Sequence, residues 1–313
     1  MFEYIYTILQ SKHPNVFLFK LLILLTIFYV LFFLYKHFYR NDHKEGFTQN
    51  ERFVLKQNDN IYDNFYSQIH DEIHKPKHRI DFELIQIIHL TEPTKKSIFL
   101  DIGSGTGDVV HELQDAGYIA YGLDKSQSMI DVAESKFPKS QYKCGDTMDP
   151  ILFEKGSFTH ILCTYFTIYH FNDKRTFLYN CYHWLMPNGY LILHLADREK
   201  FDTIIPAQKT NLYVNPNRSN TGSRITESVV EFPDFEYKCS YQFKHNSNNV
   251  YMTETFKDIQ TSNVRQNEQI LYMENMEDIL HMAKNVGFII KGSVNMKDCN
   301  DDENQYIYIL EKI

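Results

Sequence analysis

The sequence predicts an α/β domain built on a mostly parallel sheet. Three observations carry that expectation. From Asp81 onward, short apolar runs alternate with stretches of helical periodicity. A glycine-rich loop holding Gly103, Gly105 and Gly107 joins one such run to the helix after it. Between residues 197 and 273 the pattern changes to closely spaced strands with Asn-, Ser- and Gly-rich turns. Strands separated by helices pair in parallel through right-handed crossovers.

The first element is apolar. Val16 to Tyr35 is interrupted only by Lys20, and Leu21 to Tyr35 (LLILLTIFYVLFFLY) carries no charge. About 20 apolar residues span a bilayer core as a helix. We therefore expect a tail over 1–15, a single-pass transmembrane helix over 16–39 and a polar linker over 40–50. Lys12 and Lys20 precede the run, and Lys36, Arg40 and Lys44 follow it. By the positive-inside rule the C-terminal part then faces the cytoplasm. A cleaved signal peptide fits less well, because no A-x-A pattern follows Tyr35.

Residues 51–313 hold the main domain. Tyr62, Phe65 and Tyr66 (in YDNFYSQI) fall on an expected helix that either covers a ligand or packs aromatic rings. His70, His74 and His78 recur every four residues, but Pro76 breaks the helix between the last two. They read as a solvated helix end, and no metal site is expected. A helix is expected over Asp81–His89 and a buried strand over Ser97–Ile102. A helix over Asp108–Ala116, a strand over Tyr118–Leu123 and a helix capped by Ser126 follow. Gln141–Lys143 and His160–Cys163 are the next strands. Asn172 caps a helix running to Met186, and Tyr190–Leu195 is the fifth strand. Val229–Phe232, Tyr237–Phe243, Val250–Phe256 and Gln269–Met273 are expected strands of an insertion or lid. A helix from Asn275 to Gly287 and an antiparallel pair, Phe288–Met296 and Gln305–Glu311, close the chain. Asp298–Glu303 reads as a polar loop.

Composition narrows the function. Of 313 residues, 43% are hydrophobic and 23% charged, which excludes a disordered tail, a collagen-like fibre and a polytopic membrane protein. The net charge of −8 weighs against a non-specific nucleic-acid binder, so no nucleic-acid partner is expected. The 5 cysteines form no C-x-x-C pair and read as reduced thiols, with Cys163 in the core.

The glycine loop, F-L-D-I-G-S-G-T-G over residues 99–107, lies at the carboxyl end of a strand, where open α/β sheets bind ligands. Its glycines permit a sharp turn and close approach of a ligand. Asp124 ends the second strand, where a carboxylate can accept both hydroxyls of a ribose. Asp146 follows the third strand, placed to accept from an adenine amino group, with Thr147 and Met148 beside the ring and Met129 against its other face. A dinucleotide fingerprint reads G-x-G-x-x-G. Here the spacing is G-x-G-x-G, and its sixth position is Asp108, which repels a pyrophosphate. Asp101 likewise suits a cationic ligand. S-adenosylmethionine, with a sulfonium, an ammonium and no phosphate, matches these requirements.

LDIGSGTGDVV, YGLDKSQSMIDVAE and CGDTM resemble successive motifs of class I S-adenosylmethionine-dependent methyltransferases. FTHILCTYFTIYH and WLMPNGYLIL resemble the next two. The set is similar to the methyltransferase type 11 group, which includes quinone-biosynthesis enzymes, and it covers roughly residues 80–195. The resemblance implies a Rossmann-like seven-stranded sheet of order 3-2-1-4-5-7-6, with strand 7 antiparallel. It implies that Asp101, Gly103, Ser104 and Gly105 face the methionine part and that Asp124, followed by Lys125, holds the ribose. Asp146 and Thr147 would hold the adenine, and Thr164 would lie near the methyl donor. Thr159, where relatives often carry Asp, and Asn188, where Gly is common, depart from the pattern.

Methyl transfer is an in-line displacement, and a base is needed only where the acceptor must lose a proton. Tyr165, His170 and His194 are the candidate catalytic residues, with Asp197 beside the last. The bland readings are a pocket wall for Tyr165, a surface loop for His170 and a core histidine for His194. Three functions stay open: a membrane-anchored methyltransferase acting on a small-molecule, lipid-like or peptide acceptor, an NAD-dependent oxidoreductase, and a non-catalytic scaffold binding a nucleotide-like ligand.

Overall fold

A computed structural model describes Lys20, Leu22 and residues 24–33, 51–74, 76–203, 225–300 and 303–313. Residues 1–48 and 49–313 form separate compact units. In the first, Lys20, Leu22 and residues 24–33 are helical, and large apolar side chains such as Leu24, Phe28 and Phe33 are exposed. Among the described residues no helix is long and apolar enough to cross a membrane. The tail, the linker and much of the expected span over 16–39 lie outside the described residues.

The second unit contains two sheets. The larger has seven strands: β2 (Ile98–Ile102), β3 (Ile119–Asp124), β4 (Gln141–Cys144), β5 (Phe158–Cys163), β6 (Leu185–Ala196), β11 (Phe288–Asn295) and β12 (Gln305–Lys312). Their order is β11-β12-β6-β5-β2-β3-β4. Strands β2 to β6 pair in parallel, and β12 is antiparallel to both β6 and β11. This is the expected order 3-2-1-4-5-7-6. The sheet sits between two apolar layers. One includes Leu100, Ile161, Leu193 and Trp184, and the other includes Phe99, Val110, Ile192 and Ile309. Burying each such side chain stabilises the fold by roughly 1.5–3 kcal/mol.

Helices connect these strands: α2 (Lys77–Thr91), α3 (Asp108–Asp115), α4 (Gln127–Lys136), α5 (Lys174–Trp184) and α6 (Met276–Val286), with α1 (Asn64–His74) preceding them. The Ser126 hydroxyl caps α4 by accepting from the Met129 amide at 3.2 Å. The cap of α5 is Asp173, one residue beyond the expected Asn172, because its carboxylate accepts from both the amide and the hydroxyl of Thr176. The expected polar loop at 298–303 begins as a short helix, α7 (Lys297–Asn300).

The insertion forms the second sheet, of order β1-β10-β9-β8-β7. Its strands β7 (Glu227–Glu231), β8 (Phe235–Phe243), β9 (Asn249–Asp258) and β10 (Val264–Tyr272) are antiparallel neighbours close to the expected positions. Its remaining strand, β1 (Phe53–Gln57), pairs in parallel with β10 and was not expected. Alternation along β8 to β10 turns Tyr237, Cys239, Tyr241, Met252, Gln269 and Leu271 to one face, which lines the cavity described next.

Candidate active site

The glycine loop folds back on the end of β3. The amides of Gly103 and Ser104 donate to the Leu123 carbonyl at 2.8 and 3.1 Å. Gly103 has φ +71, and a Cβ there would lie 2.6 Å from the Thr167 methyl. Only glycine supplies both that backbone and that space. Gly105, at φ +52, donates its amide to Asp124 Oδ2 at 2.9 Å. The other Asp124 oxygen accepts from the Ser126 amide at 2.8 Å. Burial pushes the Asp124 carboxyl up, against these two hydrogen bonds.

Ion pairs and hydrogen bonds from neighbouring segments enclose the loop. Thr106 donates to Asp71 on α1 at 2.5 Å, and Lys136 on α4 bridges Asp71 and Asp108. Burial opposes ionisation of Asp71, but hydrogen bonds from His70, Lys136 and Thr106 outweigh it and hold the carboxyl well below its usual range. Lys125 pairs with Asp59 at 2.8 Å and with Asp146 at 3.0 Å. Asp146 also accepts from the Met148 amide at 3.0 Å.

These groups open onto a cavity of about 1270 Å³. Asp101, Gly103, Ser104, Gly105, Asp124, Lys125, Met129, Asp146, Thr147, Met148 and Thr164 all line it. Gly107 does not; it turns the loop into α3, with Tyr142 packed against it. The cavity continues past Tyr165, Phe166 and Phe171 to the lid sheet. Asp101 is buried, and burial pushes its carboxyl well up, opposed by Arg79. The Ser104 hydroxyl is buried and makes no hydrogen bond. Carboxylates at both ends of the loop, an unsatisfied hydroxyl and the apolar Met129 side chain in the cavity wall suit a cationic nucleoside and disfavour a diphosphate.

The three catalytic candidates separate. Tyr165 lines the cavity, and its hydroxyl meets His74 Nδ1 at 3.0 Å under the Arg79 guanidinium. Burial raises its phenol to about 12. His170 also lines the cavity, held by Gln269 at 2.8 Å, and burial lowers it to about 4. His194 is fully buried behind the stacked ring of Phe166 and is absent from the cavity lining. Burial lowers it to about 3, so its 3.6 Å approach to Glu83 is a contact of a neutral ring and not an ion pair.

The solvated helix end expected at His70 and His74 is corrected: both line the cavity, their rings 4.6 Å apart. His78, on α2, also reaches it. Among the described residues no cluster of three or more potential metal ligands occurs. Tyr62 and Tyr66 line the cavity too, whereas Phe65 turns away onto Phe256.

Comparison with known proteins agrees with this architecture. Residues 100–193 match the methyltransferase domain family. A ubiquinone biosynthesis O-methyltransferase of Coxiella burnetii is 29% identical over 128 residues, covering 40% of this chain and 54% of that protein. The chain thus matches about half the length of that curated relative. Among solved structures, an S-adenosylmethionine-dependent methyltransferase from Clostridium acetobutylicum aligns with a TM-score of 0.59 at 17% identity, over 80% of this chain and 98% of that one. The CcbJ methyltransferase from Streptomyces caelestis gives 0.62 at 13% identity, over 80% and 97%. S-adenosylmethionine-bound CalS10, an amino pentose methyltransferase from Micromonospora echinaspora, gives 0.53 at 16% identity, over 75% and 91%.

Fold and domain match together give a methyltransferase domain on the seven-stranded sheet that solved S-adenosylmethionine-dependent methyltransferases share. The matched methyltransferase domain spans residues 100–193, from the end of β2 into β6.

Proposed function

We propose that this protein transfers a methyl group from S-adenosylmethionine to a small, partly apolar acceptor held between the glycine loop and the lid sheet. One observation carries the reading: a single cavity runs from Gly103 and Asp124 to Tyr241, Met252 and Leu271. Its volume exceeds the usual range for one small ligand, roughly 300–1,000 Å³, and leaves room for an acceptor beside the cofactor. The cofactor supplies a methyl group on a positively charged sulfur. The chain's own residues bind and orient. Asp124 and Asp146 hold the nucleoside, Asp101 and Ser104 the amino-acid end, and the aromatic walls exclude water.

Similarity to an O-methyltransferase supports a hydroxyl-bearing small molecule, lipid-like in view of the aromatic walls, over a peptide. The uncharged run Leu21–Tyr35 and the exposed apolar helical residues 24–33 support a membrane anchor over 16–39. The lysines and arginine after the run support a cytoplasmic catalytic unit.

Calorimetry on the full chain with S-adenosylmethionine, and with NAD as control, tests the cofactor. Transfer of labelled methyl to hydroxylated aromatic compounds then tests the reaction. Binding of S-adenosylmethionine alone is expected. A folded protein that binds neither ligand, or NAD in preference, overturns the reading.

A further inference from the structure

We propose that Tyr165, His74, Tyr66 and Glu254 form a proton wire that carries the acceptor's proton out of the cavity into the lid sheet. The acceptor is then an oxygen or nitrogen nucleophile that must shed a proton. This inference rests on the methyltransferase reading above and adds the fate of that proton.

Every link in the wire has one polarity. The Tyr66 hydroxyl donates to Glu254 Oε1 at 3.0 Å. Its oxygen is thereby left to accept from His74 Nε2 at 3.4 Å. A neutral ring protonated on Nε2 exposes Nδ1 as an acceptor, and the Tyr165 hydroxyl lies 3.0 Å from it. All donors therefore point from the cavity toward Glu254. Tyr165 and Phe166 hold consecutive left-handed backbones, φ +47 and +64. Such strain at non-glycine residues marks a loop held for a purpose.

The surroundings suit both ends. At the far end, Glu254 on β9 is buried and also accepts from Tyr237 on β8 at 2.6 Å and from Asn267 on β10 at 3.2 Å. Tyr62 before α1, Cys239 and Tyr241 on β8, and Arg265 on β10 are the other ionisable groups near it. Burial raises its carboxyl against those hydrogen bonds and Arg265, which makes it a better proton acceptor than an exposed glutamate. In the middle, His74 is kept neutral by burial and by His70 and Arg79, with Asp71 opposing.

The step balances. The acceptor atom bonds to the methyl carbon while the carbon–sulfur bond breaks, its electron pair staying on sulfur. The acceptor's proton passes to the Tyr165 oxygen, and the Tyr165 proton to His74 Nδ1. The Nε2 proton then moves to Tyr66, and the Tyr66 proton to Glu254. Nothing is oxidised or reduced. Afterwards every donor is reversed, His74 carries its proton on Nδ1, and Glu254 is a carboxylic acid. Tyr165 is the catalytic residue, and the other three are positioning residues that act through it.

The reversal is measurable without an acceptor. Protonating Glu254 by lowering the pH turns the same wire around, so the tautomer of His74 reports the charge on Glu254. Histidine 15N NMR on the full chain reads that tautomer directly. The proton is expected on Nε2 at mildly alkaline pH and on Nδ1 at mildly acidic pH. The change should fall above the ordinary glutamate value of about 4.3. In E254Q the proton stays on Nε2 throughout. In Tyr66→Phe, Nε2 loses its acceptor and the proton sits on Nδ1 at both pH values. A wild-type tautomer that does not change with pH, or the same change surviving in E254Q, overturns the wire. The wild-type titration decides even where a variant misfolds. S-adenosylmethionine binding, measured separately by calorimetry, fails only if the methyltransferase reading fails.

Discussion

The Gly105 amide donates to the Asp124 carboxylate across 2.9 Å, joining the glycine loop to the end of the neighbouring strand. One residue therefore shapes the loop and, in the proposed function, offers charge to the ligand. A hydrogen bond to a charged group contributes about 1.5–3 kcal/mol, which is roughly 10- to 150-fold in affinity. Asp124→Ala is expected to weaken S-adenosylmethionine binding by at least that range in calorimetry while the far-ultraviolet spectrum stays native. Undiminished affinity in the variant rules out this role.

Gly105→Arg probes the same loop from the other side. At φ +52 any L side chain is strained, by about 1–2 kcal/mol. A Cβ there has room, since its nearest neighbour is the His70 ring at 3.7 Å. The arginine side chain would therefore extend into the ligand space rather than unfold the loop. We expect a melting temperature lowered by only a few degrees and no measurable S-adenosylmethionine binding. A variant that binds normally would show that the ligand lies elsewhere.

These two residues were legible in the sequence because a strand, a glycine turn and a helix are local events. The lid-facing half was not. Phe53–Gln57 has no buried residue along its length, and its partner lies some 200 residues away. His74 sits among polar neighbours on a helix and reads as solvated until Tyr165 and Tyr66 close over it. Glu254, in the stretch TETFK, reads as a surface glutamate. Its burial rests on donors from α1, β8 and β10, which no local pattern brings together. His194 goes the other way: of its two sequence readings, catalytic residue and core histidine, full burial selects the second.

His194 predicts a pH dependence of stability. Its folded value of about 3 lies below the unfolded value of about 6.5. Between these values the unfolded chain binds the proton and the folded one resists it, so stability falls as pH falls through that window. At pH 5 the loss is about 2 kcal/mol relative to a residue that does not titrate. Chemical denaturation of wild type and His194→Gln at pH 7 and pH 5 is the check. The stability difference between the two proteins should move in the variant's favour at the lower pH. An unchanged difference would mean that the ring is protonated in the folded protein.

The last prediction concerns the clasp over the glycine loop. Lys136 on α4 reaches Asp71 on α1 and Asp108 at the start of α3, and Thr106 donates to Asp71 with its oxygen 3.1 Å from Asp108. The lysine is partly exposed, so its direct electrostatic worth is small. Its larger effect is positional, because α1 carries Tyr66, His70 and His74 into the cavity. Lys136→Met keeps the aliphatic stem and removes the charge, leaving Asp71 and Asp108 facing each other across the loop. The expected result is a modest loss of stability, about 1 kcal/mol, as for a weakly screened surface network. S-adenosylmethionine affinity should fall several-fold, and the wild type should move toward the variant in high salt, where the ion pairs are screened. An affinity that responds to neither the substitution nor salt would detach α1 from cofactor binding, leaving the glycine loop to hold the ligand without it.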